Sequence, residues 1–217
     1  MIITVSREIG SGGGEVAKGV AEALGWRLVD NELVAQIARR SGLTPAEVAE
    51  REERAPGFFE RLIRMLTRAA PEILFPPAEP DPELEESSLV KVTETVVAEM
   101  AREGRVVLVG RAAPAVLKGD RDGLHVKIVA PVSDRIVAVA QRLGMSAEAA
   151  AEEVARSDAN RARYHQQYYQ RDWNDAAGYH LVLNTAPLGI DGAIATIVGR
   201  AKALWPGETG ERRIGGG

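Results

Sequence analysis

The chain alternates short, nearly continuous apolar runs with amphipathic stretches, and this limits the fold more than any single motif does. Five runs are rich in β-branched residues: "IITVS" (2–6), "WRLVD" (26–30), "RVVLVG" (105–110), "LHVKIVAP" (124–131) and "YHLVLNT" (179–185). A strand that is apolar at consecutive positions, instead of every second one, is buried on both faces. Helical patterns fill the intervals, at 13–24, 32–41, 86–103, 132–143, 146–170 and 189–204. Strands alternating with helices form βαβ units. The expected class is therefore α/β, a three-layer fold with a mostly parallel five-stranded sheet.

Two connections exceed a simple crossover. The first, 31–104, contains "SGLTPAEVAE", a helix start with Thr44 as N-cap and Pro45 at the first helical position. It continues through an amphipathic "FFERLIRMLTRA" and the proline-rich "FPPAEPDPELEE", which reads as a surface loop. The second, 146–178, is helical and rich in Arg and Tyr. Both leave from the C-terminal ends of strands, the side on which open α/β sheets bind ligands. Residues 206–217 read as a flexible tail.

Composition narrows the function. The net charge of −4 argues against a protein that coats nucleic acid, while leaving room for a local basic pocket. The absence of cysteine excludes disulfides, thiol catalysis and thiolate metal sites, and three histidines are few for a His-rich one, so no metal-ligating set is expected. No apolar run approaches the roughly 20 residues needed to span a bilayer. The N-terminus opens as a strand, without the basic region and cleavage site of a signal peptide. The expectation is a cytoplasmic enzyme or binding protein, monomeric or homodimeric, with a small-molecule partner and neither nucleic acid nor membrane.

The chemistry concentrates in "TVSREIGSGGGEVAKG", where a strand runs through a glycine cluster into a helix. Against the phosphate-loop pattern G-x-x-x-x-G-K-[ST], Gly12 takes the second glycine, Arg7 the first, Gly13 the lysine and Gly14 the hydroxyl. One defining position of four survives. The physics survives better, because successive N–H groups entering a helix N-terminus bind anions through backbone geometry and partial charge. Gly10, Ser11, Gly12, Gly13, Gly14 and Glu15 are the expected phosphate-binding residues. Arg7, at the strand end, can supply the missing charge, and its fork suits phosphate oxygens. Glu8 or Glu15 can orient a metal-bound water. Two other readings stay open: a strand–helix turn that needs no ligand, and a dinucleotide loop G-x-G-x-x-G with Glu15 in place of its third glycine and Asp30 as the ribose acid.

The segment "ITVSREIGSGGGEVAKGVAEALGWRLVDNELV" resembles the start of a cytidylate kinase, and more closely the divergent cytidylate kinase-like family, whose members open with Ser-Arg-Glu and a Gly-Ser-Gly-Gly loop. Here these are Ser6-Arg7-Glu8 and Gly10-Ser11-Gly12-Gly13. The resemblance resumes at "VVLVGRAAPAVL", at "VKIVAPVSDRIVAV" and through "SDANRARYHQQYYQRDWNDAAGYHLVLNT". It implies a P-loop kinase-like fold with sheet order 2-3-1-4-5. The core would be 1–35, 100–145 and 179–205, with a nucleoside monophosphate (NMP)-binding insert at about 36–99 and a lid at about 146–178. It implies a phosphotransferase that moves the γ-phosphoryl of ATP or GTP, with Mg2+, to an acceptor such as CMP or dCMP. Asp30, Arg39 and Arg111 would meet the acceptor. Arg156, Asp158, Arg161 and Arg163 would belong to the lid, Arg161 and Arg163 acting with Arg7 on the transferred group.

The chain departs from that pattern at Gly13 (the lysine), Val109 (the acid before Gly110-Arg111), Ala112 (the acid after it) and Gln36 (an arginine). These losses leave open a non-catalytic nucleotide-binding protein on the same fold. In 146–170, Arg156 and Arg163 share a helical face, and Arg161 joins them only if the helix breaks near Asn160; a solvated amphipathic helix is the plainer reading. Tyr164, Tyr168 and Tyr169 read as packing, His165 as a surface residue, His180 as a satisfied sheet residue and "DWND" as a turn re-anchoring the lid. Asn184 reads as a helix N-cap. Arg7 paired with Glu8, Glu32 or another core-edge acid, merely pinning the loop, is the structural alternative to its phosphate role.

Overall fold

The computed structural model describes residues 1–30, 82–110, 112–119 and 122–207. Along the chain, the described elements are β1 (Ile2–Arg7), α1 (Gly13–Leu24), β2 (Arg27–Val29), α2 (Pro82–Glu103), β3 (Val106–Val109), α3 (Ala113–Val116), β4 (Gly123–Val129), α4 (Val132–Leu143), α5 (Ala147–Tyr169), β5 (Leu181–Asn184) and α6 (Thr185–Leu204). A single turn of 3-10 helix, Ala176–Gly178, precedes β5. The sheet runs β2-β3-β1-β4-β5 and every pairing is parallel, the direction expected from the strand–helix alternation and the order implied by the family resemblance.

The continuous apolar runs have their expected cause. On one face of the sheet, Ile3, Val5, Val107, Val126 and Ile128 pack with Val16 and Val20 of α1 and Ile197 of α6. On the other, Ile2, Val106 and Leu108 pack with Val96, Val97 and Met100 of α2. Alternate residues thus face two separate helical layers, and both sets must be apolar. The second face changes character beside β4. There Thr4, Ser6, His125 and Lys127 are buried. Their partners are internal: Thr4 Oγ1 lies 2.8 Å from His125 Nδ1, and Ser6 Oγ accepts from Trp173 Nε1 at 3.0 Å. Burial without such partners would cost several kcal/mol per group.

The termini of α1 and α4 follow the sequence to the residue, because a left-handed glycine, Gly25 or Gly144, stops each helix. Helix α2 starts earlier than its apolar pattern, at Pro82, a position where proline loses no hydrogen bond. Asn184 caps α6, accepting from the Ala186 N–H at 3.0 Å. Helix α6 therefore begins before Gly189, where the backbone breaks. The expected helix at 32–41, most of the insert and the tail from 208 onward lie outside the described residues.

Candidate functional site

Strand β1 ends at Arg7 and the chain turns through Glu8–Gly12 into α1. Gly10 and Gly12 take positive φ, 78° and 75°, and Gly12 caps α1 with no side-chain hydrogen bond. The loop is braced from below. The Ser11 hydroxyl donates to the Glu8 carbonyl at 2.8 Å, and the Thr185 hydroxyl donates to the Ser11 carbonyl at 2.8 Å. With these carbonyls occupied from beneath, the glycines border an open cleft together with Glu15, Asp30 and Arg142. A rigid glycine turn that opens a helix and faces a cleft fits a phosphate chain. The metal side fits less directly: among the described residues no group of three or more His, Cys, Asp or Glu could hold an ion.

Arg7 runs across Gly13. A Cβ at Gly13 would lie 2.5 Å from the Cβ of Arg7, and one at Gly110 would lie 2.8 Å from Arg7 Nη1. The arginine therefore fills the space over the position where the phosphate-loop pattern has lysine. Among the described residues its one ionic neighbour is Asp30, at 3.7 Å. That is long for a hydrogen bond, and the Arg7 side chain is 29% exposed. Glu8, a partner proposed from sequence, is used elsewhere.

Glu8 belongs to Arg135. The Arg135 guanidinium, 3% exposed, holds both carboxylate oxygens of Asp158 at 3.2 and 2.8 Å. Its Nε makes an ionic contact of 3.4 Å with Glu8 Oε2, not an aligned hydrogen bond. Glu8 Oε2 also accepts from the Ala130 N–H at 3.2 Å. A Cβ at Gly10 would lie 2.6 Å from the Arg135 carbonyl oxygen, so α4 closes directly on the loop. Asp158 thereby ties α5 to α4, beside the apolar contact of Val139 with Ala150 and Val154. The sequence alone assigned Arg135 no role.

A second, more enclosed cleft lies between α5 and the ends of β1 and β3. Its walls include Ser6, Arg7, Gly110, Arg161, His165 and Trp173. Arg161 donates to Ser157 Oγ at 2.7 Å, and its guanidinium carbon sits 5.9 Å from the Trp173 ring centroid. Helix α5 is unbroken, and it is Arg161 that faces this cleft. Arg156 is exposed and paired with Glu153, and Arg163 is exposed and donates to Asn160 Oδ1 at 2.9 Å. The structure therefore brings Arg7 and Arg161 together and does not bring Arg163 to them. Arg39 and Arg111 lie outside the described residues.

Lys127 and Trp173 underlie this cleft, and sequence reasoning missed the lysine. Lys127 Nζ donates to the Trp173 carbonyl at 3.0 Å and to Asn174 Oδ1 at 2.8 Å, and sits 3.9 Å from the indole centroid. Burial lowers the Lys127 pKa, against the opposing pull of Glu8 and Asp158. The signal available in the sequence was the alternation His125, Lys127 within an otherwise apolar strand. The expected turn at "DWND" is present, with Trp173 wholly buried. His165 is buried, not a surface residue. Burial, reinforced by Arg171, Lys127 and Arg161, lowers its pKa to about 4, so the ring is neutral near pH 7. Tyr164 packs against Tyr168 and Tyr169, as expected of a packing cluster.

Comparison with known proteins agrees with the fold. The model of the cytidylate kinase-like family matches residues 2–187. A cytidylate kinase of Thermococcus kodakarensis is 30% identical over 214 residues, spanning 97% of this chain and 93% of that protein. One of Natronomonas pharaonis is 29% identical over 207 residues, spanning 95% and 92%. Among solved structures, an uncharacterized protein from Eubacterium ventriosum superposes with a TM-score of 0.67 at 20% identity, over 94% of this chain and 99% of that one. Shikimate kinase from Bacteroides thetaiotaomicron superposes at 0.50 and 15% identity, over 94% and 97%. At those identities the structural likeness concerns the fold.

Proposed function

The chain belongs to the cytidylate kinase-like family, and from that premise we propose that it is a nucleoside monophosphate kinase-type phosphotransferase, moving the γ-phosphoryl of ATP or GTP to CMP or dCMP. The observation that carries this reading is that Arg7 and Arg161 border both clefts. A phosphoryl group passing between donor and acceptor crosses that shared wall. Phosphoryl transfer asks a protein for positioning and charge neutralisation more than for covalent chemistry. The loop N–H groups of Gly10–Glu15 hold the donor phosphates. Arg7 and Arg161 supply the charge that a loop lysine otherwise gives, and a guanidinium engages two oxygens at once where an ammonium is a point charge. Asp30, beside Arg7, faces the acceptor, with Arg39 and Arg111 completing that side.

Mg2+ arriving with the nucleotide would lower the charge of its phosphates; with Gly14 in the hydroxyl position, Glu15 and Asp30 are the carboxylates able to orient its waters. No general base is required, and His165, neutral and buried, is not assigned one. Arg156 and Arg163 remain in the proposal only as groups that a closing motion of α5 would bring inward. No described helix is long and apolar enough to cross a membrane.

Coupled ADP release from ATP with Mg2+, measured across a panel of nucleoside monophosphates, tests the reading. Turnover with CMP or dCMP supports it. A second reading, a non-catalytic nucleotide-binding protein, is favoured by the residues at three positions: Gly13, Gly14 and Val109. Thermal stabilisation by ATP without turnover on any acceptor selects it.

A further inference from the structure

A third cavity lies beyond the first two, between the end of α3 and the turn that returns from α5 to β5. Its walls include Lys118, His125, Arg171, Asp175, Tyr179 and His180. Pro114 borders both this cavity and the second cleft. Its polar side chains are mainly donors, set among Pro114, Gly119 and Ala177. Arg171 gives one N–H to the Gly178 carbonyl at 2.5 Å and stacks 4.6 Å from the Tyr179 ring centroid, which fixes the guanidinium plane while leaving its other N–H groups. His180 is oriented too. Its Nδ1 accepts from the His125 backbone N–H at 2.9 Å, so the neutral ring carries its proton on Nε2. The two imidazoles stack at 5.0 Å with planes 12° apart. The one acid on the wall, Asp175, is engaged by the Ala177 N–H at 2.9 Å.

One fixed guanidinium, an exposed lysine at the rim and an oriented imidazole, opposed by one carboxylate that already accepts a hydrogen bond, match a ligand made of acceptor oxygens with a negative charge. We propose that this cavity is a second anion site, separate from the phosphate loop, that takes the phosphoryl group of a small molecule. Its position gives an occupant a mechanical consequence. Tyr179 donates from its hydroxyl to the Trp173 carbonyl at 3.0 Å, and Trp173 is the floor under Arg161. An anion held by Arg171 and His180 therefore braces the turn on which the second cleft rests. The proposal does not depend on phosphoryl transfer, so the site can exist whether or not the chain is a kinase.

The chain has three histidines, two in this cavity and one in the second cleft, so imidazole NMR resonances report on the two places separately. The full chain, labelled at histidine, is titrated first with inorganic phosphate and then with CMP. The expected result is a saturable shift of His125 and His180 together, with free phosphate sufficing if the phosphoryl group alone is read and CMP required if the ester is. Lys118→Glu should raise the midpoint of that shift about tenfold or more, since one attractive charge becomes repulsive, while leaving the response of His165 unchanged. A shift confined to His165, a drift that never saturates with either probe, or a midpoint indifferent to Lys118→Glu overturns the proposal.

Discussion

Arg7 and Arg135 stand on opposite sides of the same glycine loop and show what separates a poised arginine from a committed one. Arg7 crosses Gly13 with a partly exposed guanidinium whose one described ionic neighbour is 3.7 Å away. Arg135 lies against Gly10, 3% exposed, with Asp158 on its fork and Glu8 at its Nε. The chemistry of the two side chains is identical. Burial and the number of acidic partners decide that one is free to meet a ligand and the other holds α4, α5 and the loop together. The contrast also accounts for Asp158, which the family resemblance puts in the lid and the structure puts in an ion-pair triad.

The sharpest way to break the contrast is Arg135→Met. It leaves Glu8 and Asp158 facing each other with only the more distant Lys127 as a cation, and loss of one partner from a buried ion pair costs about 3–5 kcal/mol. Urea denaturation should show that loss, and adding Glu8→Gln and Asp158→Asn should recover a large part of it. A cost below about 1 kcal/mol would mean that the triad is solvated and ordinary.

Arg7→Lys should behave in the opposite way. If the fork serves transfer, turnover falls about 10- to 1000-fold, the range given by losing a few kcal/mol of transition-state stabilisation. The melting temperature should hardly move. A collapse of stability with full activity per folded molecule would make Arg7 a second Arg135, and the loop would have no substitute for lysine.

How much of this was legible follows from the range of the forces involved. The loop, α1 and α4 could be read to the residue because their signals are local: glycine caps and helical periodicity. Asn184 as an N-cap was legible for the same reason. The Arg135 triad was not, since Glu8, Arg135 and Asp158 are far apart in sequence and only packing joins them. Lys127 was hidden by its neighbours, because a strand reading "LHVKIV" looks apolar until its polar face finds Trp173. The lid arginines are a different case. Periodicity correctly placed Arg156 and Arg163 on one face of α5, but the contact with α4 turned that face outward and left Arg161 inside. The four-residue α3 is too short to show any period.

Gly13 tests the space that Arg7 fills. A side chain there must displace Arg7, whose Cβ would stand 2.5 Å from the new one. Gly13→Ala should cost about 1–3 kcal/mol as an overpacked contact, although alanine is the better helix former. Gly13→Lys should fail to raise activity for the same reason. In combination with Arg7→Gly the alanine should become nearly neutral, a coupling expected only for residues in direct contact. Additive costs would show that the backbone of β1 or of the loop shifts to make room.

The smallest effect concerns His165 and is a question of pH. Its folded pKa, about 4, lies below the unfolded value of 6.5. The unfolded chain therefore takes up a proton first as pH falls, and stability drops from about pH 6.5 until the folded ring also titrates near pH 4. From the two values the loss at pH 5.5 is about 1.2 kcal/mol relative to pH 7. His165→Gln removes that term, so its melting temperature should fall less steeply than that of the parent between pH 7 and 5.5. Parallel curves would mean that the imidazole is solvated in the folded chain. The cleft beside Arg161 would then be wet in its unliganded state, and Arg161 would resemble Arg7 more closely than its contact with Trp173 suggests.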